Sequence, residues 1–338
     1  MADSKSTKNT TRTPKAHEVL DFERPIHELE GKIAELEALS SDTNLKLGGE
    51  ITPLKHRLNR LVQEVFRAIS PWQQVQVARA AGRPLCEDFV EGMCDELVEL
   101  HGDRNFRDDP AMMTAIARIG SHRVMVVAHR KGRDTREKIK AHFGCAHPEG
   151  YRKALRKMKL AEKFGLPIVA LINTPGAYPG IGAEERGQGW AIAENMQAMF
   201  ALKVPIVSIV VGEGGSGGAL GIGVADRVLM MEHAYYSVIS PEGCAAILWG
   251  DAKRAPDAAK ALRLCSKDLL SFGVVDAVLE EPVGAAHRAP AAAVQELKRV
   301  IIEQLDQLGR VPMAELLDMR FKKFRAMGTL FADAAAVR

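Results

Sequence analysis

Five glycines fall within seven residues, Gly212, Gly214, Gly215, Gly217 and Gly218, inside the run VVGEGGSGGALGIG at Val210–Gly223. An apolar, strand-like stretch leads in, and a helical pattern begins near Gly217. Glycine lets a ligand approach the main chain and permits left-handed turns. The start of a helix adds free N–H groups and positive potential. Together these bind an oxyanion or a phosphate without any charged side chain. Several chemistries fit that description. Gly212, Gly214 and Gly217 have the G-x-G-x-x-G spacing of a dinucleotide fold, with Glu232 further on, but the motif sits deep in the chain. A P-loop is excluded because no Gly-Lys-Ser/Thr follows. Ser216 as a nucleophile needs a base, and spacing singles out none of His129, His147 or His233. Ser216 is read as a small turn residue. Two readings remain: N–H donors at Gly217 and Gly218 for an oxyanion on a thioester or similar carbonyl, or a close-packed structural turn.

A second segment, NTPGAYPGIGAEERGQ at Asn173–Gln188, follows another apolar run. Its prolines and glycines make a rigid loop at a strand's carboxyl end, where ligands bind in open α/β sheets. Tyr178 in that loop is suited equally to a ligand or to the core. Glu184 and Glu185 suit the first turn of the next helix better than a catalytic pair. Between Arg130 and Lys163 lie twelve Lys/Arg, most of them expected on a solvated helix face. Arg130, Lys131 and Arg133, directly after a strand, are the group best placed to meet a phosphorylated ligand or an acidic partner. In YSVISPEGCAAILWGDA, Ser240 and Pro241 read as N-cap and first residue of a helix. Cys244 beside them has no base and only small apolar neighbours, which argues against a nucleophile.

The elements that must position these segments are visible as periodicity. Strands are expected at Arg123–His129, Pro167–Asn173, Pro205–Val211, Arg227–Met231, Tyr236–Ser240 and Val274–Leu279. Helices are expected between them, at Gly150–Gly165, Ala183–Leu202, Gly217–Val224 and Asp251–Leu264. Such alternation predicts an α/β fold with parallel pairing, and the apolar strands predict cover on both faces. Before this core, Ile26–Leu36 and Leu54–Val65 read as a helical hairpin joined near Thr43–Gly49, with Trp72–Ala80 and Glu87–Leu100 also helical. After it, Ala291–Leu308 and Met313–Met327 read as a helical extension. The expected divisions are a basic tail at 1–19, a helical region at 20–100, a core at 101–288 and the extension at 289–338.

The 46 Lys+Arg against 43 Asp+Glu leave a formal +3, and aromatic residues are 5%, so nothing favours nucleic acid as a partner. The five cysteines, Cys86, Cys94, Cys145, Cys244 and Cys265, contain no C-x-x-C pair, which argues against a metal site or a disulfide framework. No apolar stretch is long enough to span a bilayer and the first residues lack a signal-peptide core, so a cytoplasmic location is expected.

Seven blocks in series carry a resemblance: LDFERPIHELE (Leu20–Glu30), ELHGDRNFRDDPAM (Glu99–Met112), HPEGYRKALRKMKLAEKFGLPI (His147–Ile168), TPGAYPGIGAEERGQ (Thr174–Gln188), GEGGSGGALGIG (Gly212–Gly223), YSVISPEGCAAILW (Tyr236–Trp249) and EPVGAAHR (Glu281–Arg288). With these, the chain resembles the carboxyltransferase α subunits of bacterial acetyl-CoA carboxylase over nearly its whole length. The resemblance implies a crotonase-like spiral of ββα units with an N-terminal helical region. It implies an enzyme half, paired with a zinc-ribbon β subunit as α2β2. Together the halves move a carboxyl group from carboxybiotin on the biotin carboxyl carrier protein to acetyl-CoA, making malonyl-CoA for fatty acid synthesis. ATP belongs to the separate biotin carboxylase step, and no metal is expected in this chain.

Carried over by position, Gly217 and Gly218 are the implied catalytic donors, facing the biotin ureido oxygen, while a matching hole on the β subunit faces the thioester. Gly214, Gly215, Ala219, Tyr178, Gly180 and Gly182 are the implied binding residues around them. The sequence departs from the family's usual pattern at Asn173, Gly189–Trp190 and Cys145, and Trp190 raises the question of local packing at the ligand loop. Two rivals stand beside this reading. A self-sufficient acyl-CoA hydratase or isomerase would need its own acid/base, such as Glu184 or Glu185. A non-catalytic subunit would use the basic stretch Arg130–Lys163 to dock a polyanion.

Overall fold

A computed structural model describes residues 19–43 and 47–328. The tail expected at 1–19 lies outside the described residues except for Val19. Helices α1 (Arg24–Thr43) and α2 (Gly48–Arg67) form the expected hairpin, followed by α3 (Pro71–Ala78) and α4 (Cys86–Met93). Ser70 caps α3 with a capping box closed by Gln73, and Pro71 takes the first helical position. The hairpin buries Ile26, Val62 and Phe66 against Val77 and Ala285. Helix α4 stops at Met93 because Cys94 is extended. The helix expected to continue to Leu100 is instead strand β1 (Glu96–Glu99), which pairs antiparallel with β2 (Met112–Ile119). Sheet pairing here overrides local propensity.

Strand β2 pairs antiparallel with β3 (His122–His129). From β3 onward the sheet is parallel, through β4 (Ile168–Thr174), β5 (Ile206–Gly215), β6 (Arg227–Met231) and β8 (Ala277–Leu279). The short β7 (Tyr235–Ser237) pairs with the far end of β5. The sheet is therefore mixed, where alternation alone predicted parallel pairing. Strands β4 and β5 are buried at every position, which is why they read as unbroken apolar runs.

The helices of the core are α5 (Thr135–Lys140), α6 (Pro148–Lys163), α7 (Ile181–Glu185), α8 (Gln188–Ala201), α9 (Ser216–Leu220), α10 (Pro241–Trp249), α11 (Ala255–Leu262) and α12 (Ser266–Ser271). The helix expected over Ala183–Leu202 is two helices, because Gly187 at φ +80° turns the chain between them. The helix expected over Gly217–Val224 is only the five residues of α9. Finally α13 (Pro290–Leu308) packs on α4 and β5, and α14 (Met313–Ala326) on α8. Arg320 fastens α14: its fully buried guanidinium pairs with Asp226 and donates to the carbonyls of Met199, Leu202 and Val204. No helix among the described residues is long and apolar enough to cross a membrane.

Candidate active site

Strand β5 runs through the glycine segment rather than ending before it. Thr174 of β4 pairs with Gly214, and β7 holds Glu213–Gly215 from the other side. Gly214 and Gly215 are thus buried strand residues. The chain then turns at Ser216, whose φ of +45° is rare and costly for a residue with a Cβ. Gly217, Gly218 and Ala219 lie in the short helix α9 that follows. The N–H groups of Gly217 and Gly218 find no acceptor among the described residues, as the first turn of a helix requires. Gly217 is half-buried and Gly218 is buried.

The two segments singled out in the sequence meet at this turn. A Cβ added at Gly218 would lie 2.5 Å from the Gly176 carbonyl carbon and 2.6 Å from Ala177 N, and one at Gly215 would overlap the Pro175 carbonyl. One at Gly217 would sit at ordinary distance, 3.4 Å from Ile192 Cδ1. Glycine is therefore a steric necessity at 215 and 218. Thr174 braces the loop by donating through Oγ1 to Gly144 O (2.7 Å) and accepting from Gly176 N (3.1 Å).

Tyr178, Gly180 and Gly182 lie farther along the same loop. Tyr178 stacks on His147, with ring centroids 4.1 Å apart, and His142 meets both rings edge-on. A cavity of about 220 Å³ opens beyond these histidines, lined also by Arg107, Asp108, Asp109 and Pro110. Gly180 caps α7 and Gly182 lies within it. Tyr178 thus stacks on His147 and also lies directly against Gly180, where its ring leaves no room for a Cβ. Glu184 and Glu185 are exposed on α7. Trp190 is 78% exposed, so it does not fill the ligand loop. Asn173 is buried and accepts from Glu213 N (3.1 Å). Cys145 is half-buried, near Lys131 and Glu213, and its thiol pKa is raised by burial.

Sequence reasoning did not find Glu213. It lies between the glycines, and its carboxylate takes Arg79 Nε (2.7 Å), Lys131 and the Tyr235 hydroxyl (2.7 Å). Burial opposes its charge, but the two cations and these hydrogen bonds outweigh it and hold the pKa at about 2. Arg79 reaches on to Glu242 at the start of α10 (2.5 Å). The helical region before the core, which showed no chemistry in sequence, thus supports the glycine strand directly. The trio proposed for an anionic ligand is already occupied: Arg130 pairs with Glu99, Lys131 with Glu213, and Arg133 with Asp88 and Glu91. No hydrogen bond ties Ser216 to a histidine among the described residues, and Cys244 is buried against Ala245 and Ala258.

His129 is fully buried at the end of β3, and desolvation pushes its pKa down to about 3. The backbones of Leu171 and Gly218 favour its charge too weakly to offset that. His147 is lowered to about 4, by burial first and by neighbouring His142 second. Both are neutral at pH 7. The unfolded chain takes up protons near pH 6.5 that the native state refuses, so stability is full above about pH 6.5 and falls as acid is added towards pH 3–4. For the fully buried His129 the expected slope is about 1 kcal/mol per pH unit. Denaturant unfolding at pH 7.5, 6 and 5 checks this, and His129→Leu should flatten the decline.

No group of three or more His, Cys, Asp or Glu among the described residues is disposed to hold a metal. The family described as "Acetyl co-enzyme A carboxylase carboxyltransferase-like" matches residues 19–328. The chain is 52% identical over 314 residues to the acetyl-coenzyme A carboxylase carboxyl transferase subunit alpha of Thermus thermophilus, covering 93% of this chain and 99% of that one. It is 50% identical over 315 residues to the same subunit of Rhodopirellula baltica, covering 93% and 98%. Among solved structures, it is similar to a chain of a Pseudomonas malonate decarboxylase hetero-tetramer in complex with coenzyme A. That match has a TM-score of 0.58 and 16% identity, over 74% of this chain and 96% of that one. A second match is the transcarboxylase 12S hexamer, with TM-score 0.55 and 19% identity over 68% and 42%. At such identities these likenesses speak to the fold, which is the crotonase-like architecture expected. The matching run of sequence says more: the chain belongs to the family of acetyl-CoA carboxylase carboxyltransferase α subunits.

Proposed function

We propose that this chain supplies the carboxybiotin-facing half of a carboxyltransferase, with Gly217 and Gly218 as its oxyanion donors. The observation that carries this is the pair of N–H groups in the β5–α9 turn that find no acceptor among the described residues, held against the Pro175–Ala177 loop. Carboxybiotin, delivered by the biotin carboxyl carrier protein as a substrate, supplies the carboxyl group and leaves charge on its ureido oxygen. The two N–H groups donate to that oxygen as charge develops, at no cost in reorganisation. Glu213 and its cations keep the glycine strand rigid behind them. The thioester of acetyl-CoA is assigned to the partner β subunit's matching hole, and malonyl-CoA forms where the two halves meet. ATP is used upstream, by the biotin carboxylase. A hydratase acting alone is not favoured, because Glu184 and Glu185 are solvent-exposed and the relatives are carboxyltransferase subunits.

The mouth of the site supports an α2β2 partnership. Ile181 on α7, Trp190 on α8 and Leu220 on α9 are exposed, and α8 packs against both other helices. Large apolar side chains exposed beside a functional turn suit a subunit interface. Trp190→Glu is expected to weaken association with the β subunit at least about tenfold without unfolding the chain. Sedimentation or light scattering of the mixed subunits checks it.

The function is tested in reverse. Malonyl-CoA and biocytin are supplied to this chain alone, to the β subunit alone, and to both. Biotin-dependent loss of malonyl-CoA is expected only with both. Turnover of an acyl- or enoyl-CoA by this chain alone would contradict the proposal.

A further inference from the structure

Helix α9 is five residues long, too short to be stable on its own hydrogen bonds. Three fully buried side chains from three different elements hold its C-terminal side. Tyr151 of α6 donates through its hydroxyl to Gly218 O at 3.3 Å. Asn195 of α8 donates through Nδ2 to Gly221 O at 3.0 Å. Ser208 of β5 donates through Oγ to Ile222 O at 3.3 Å. The Gly218 carbonyl is open to Tyr151 because Ile222 N, which would complete the next helical turn on it, donates to Ala219 O instead (3.3 Å). The Tyr151 ring lies flush with Gly221, where an added Cβ would come within 2.6 Å of Cε1. His129, fully buried with neither ring nitrogen hydrogen-bonded, lies near the same Gly218 backbone.

This places a wholly buried hydroxyl on the inner side of the same residue whose N–H is assigned to the ligand. A carbonyl fixed from the inside sets the plane of the Gly218–Ala219 peptide and with it ψ of Gly218, which limits how far the two preceding peptide planes, carrying the Gly217 and Gly218 N–H groups, can turn. Donor aim matters because an oxyanion hole works by being pre-organised. We propose that Tyr151 is a positioning residue for carboxyl transfer: its hydroxyl holds the Gly218 carbonyl and so fixes the direction of the Gly217 and Gly218 N–H groups. The proposal rests on the donor assignment made above.

Tyr151→Phe keeps the ring against Gly221 and removes only the hydroxyl. Loss of a whole donor costs about 10²–10³ in rate, and loss of its support is expected to cost about tenfold. In the assembled complex, kcat for biocytin-dependent malonyl-CoA turnover should fall about tenfold, with KM for both substrates within about twofold. Gly221→Ala, which pushes the ring away from Gly218 by a different route, should show the same kcat-selective loss, and it answers the question should Tyr151→Phe not fold. An unchanged kcat in folded, assembled variants would overturn the proposal. So would a loss accounted for entirely by less complex or by higher KM, since either means a structural role only. Inactivity of the wild-type complex would instead remove the donor assignment, and the proposal with it.

Discussion

Gly218→Ala is expected to lower carboxyl transfer by about 10²-fold or more, whereas Gly217→Ala is expected to stay within about fivefold of wild type. The chemistry of the two substitutions is identical, and both keep the N–H. The difference is steric. A methyl at 218 meets main-chain atoms of Gly176 and Ala177 at 2.5–2.6 Å, and backbone cannot swing aside as a side chain can. Either the Thr174–Ala177 loop or the α9 turn must move. A donor displaced by about an ångström is a donor largely lost, worth about 10²–10³ in rate. A methyl at 217 meets the tip of Ile192 at 3.4 Å. Steady-state kinetics of both variants with the β subunit, alongside a check of assembly, measures the contrast. Equal losses at the two positions would show that something other than the Gly176 contact controls the turn.

Arg83→Met is expected to destabilise the chain by about 3–5 kcal/mol at neutral pH. The side chains of Arg83 and Glu281 are both buried, and the guanidinium is bidentate on the carboxylate at 2.5 and 2.9 Å, with Nε on Val211 O of β5 (3.0 Å). Glu281 also accepts from His233 N and Ala286 N. Burial opposes the charge of Glu281, but Arg83 prevails and holds its pKa at about 2. Removing Arg83 leaves a buried carboxylate with backbone donors alone. A depressed carboxylate stabilises above its unfolded pKa of about 4.3 and loses that contribution as pH falls towards 2. The gap between wild type and variant should therefore narrow below about pH 4. Replacing both partners, Arg83→Met with Glu281→Leu, should recover part of the loss, the remainder reflecting His233 N, Ala286 N and Val211 O left without these partners. Denaturant unfolding of the three chains at pH 7 and pH 3.5 reads all of this. A double variant no better than the single would mean that the pair itself, rather than an orphaned charge, carries the stability.

The glycine turn and the proline-rich loop were legible in the sequence because their residue types are themselves the chemistry. Five glycines after an apolar run announce a backbone that something approaches, and Gly176 and Gly218 do approach each other. Strands β4 and β5 were equally plain, since burial on both faces leaves an unbroken apolar signature. Strand β1 was not, because a four-residue edge strand is created by its partner β2. The break at Gly187 hid inside a helical pattern that continues on both sides of it. Arg130, Lys131 and Arg133 looked free because their carboxylates lie far off in the chain. Tyr151 and Asn195 carried no signal, since each serves a backbone carbonyl 67 or 26 residues away. Glu213 stood in view among the glycines, and a charge in a buried strand could have pointed to the paired cations that hold it. The resemblance added what spacing did not, an expectation of which of several glycine chemistries applies.

On the proposed function, the β5–α9 turn holds the oxygen left when a carboxyl group departs from biotin. The most direct measurement follows a labelled carboxyl from carboxylated carrier protein to acetyl-CoA, using the assembled complex with wild-type chain, Gly217→Ala or Gly218→Ala. Labelled malonyl-CoA is expected with the first two at comparable rates, and a loss of about 10²-fold or more with the third while the complex stays intact. Full transfer by an intact Gly218→Ala complex would contradict it.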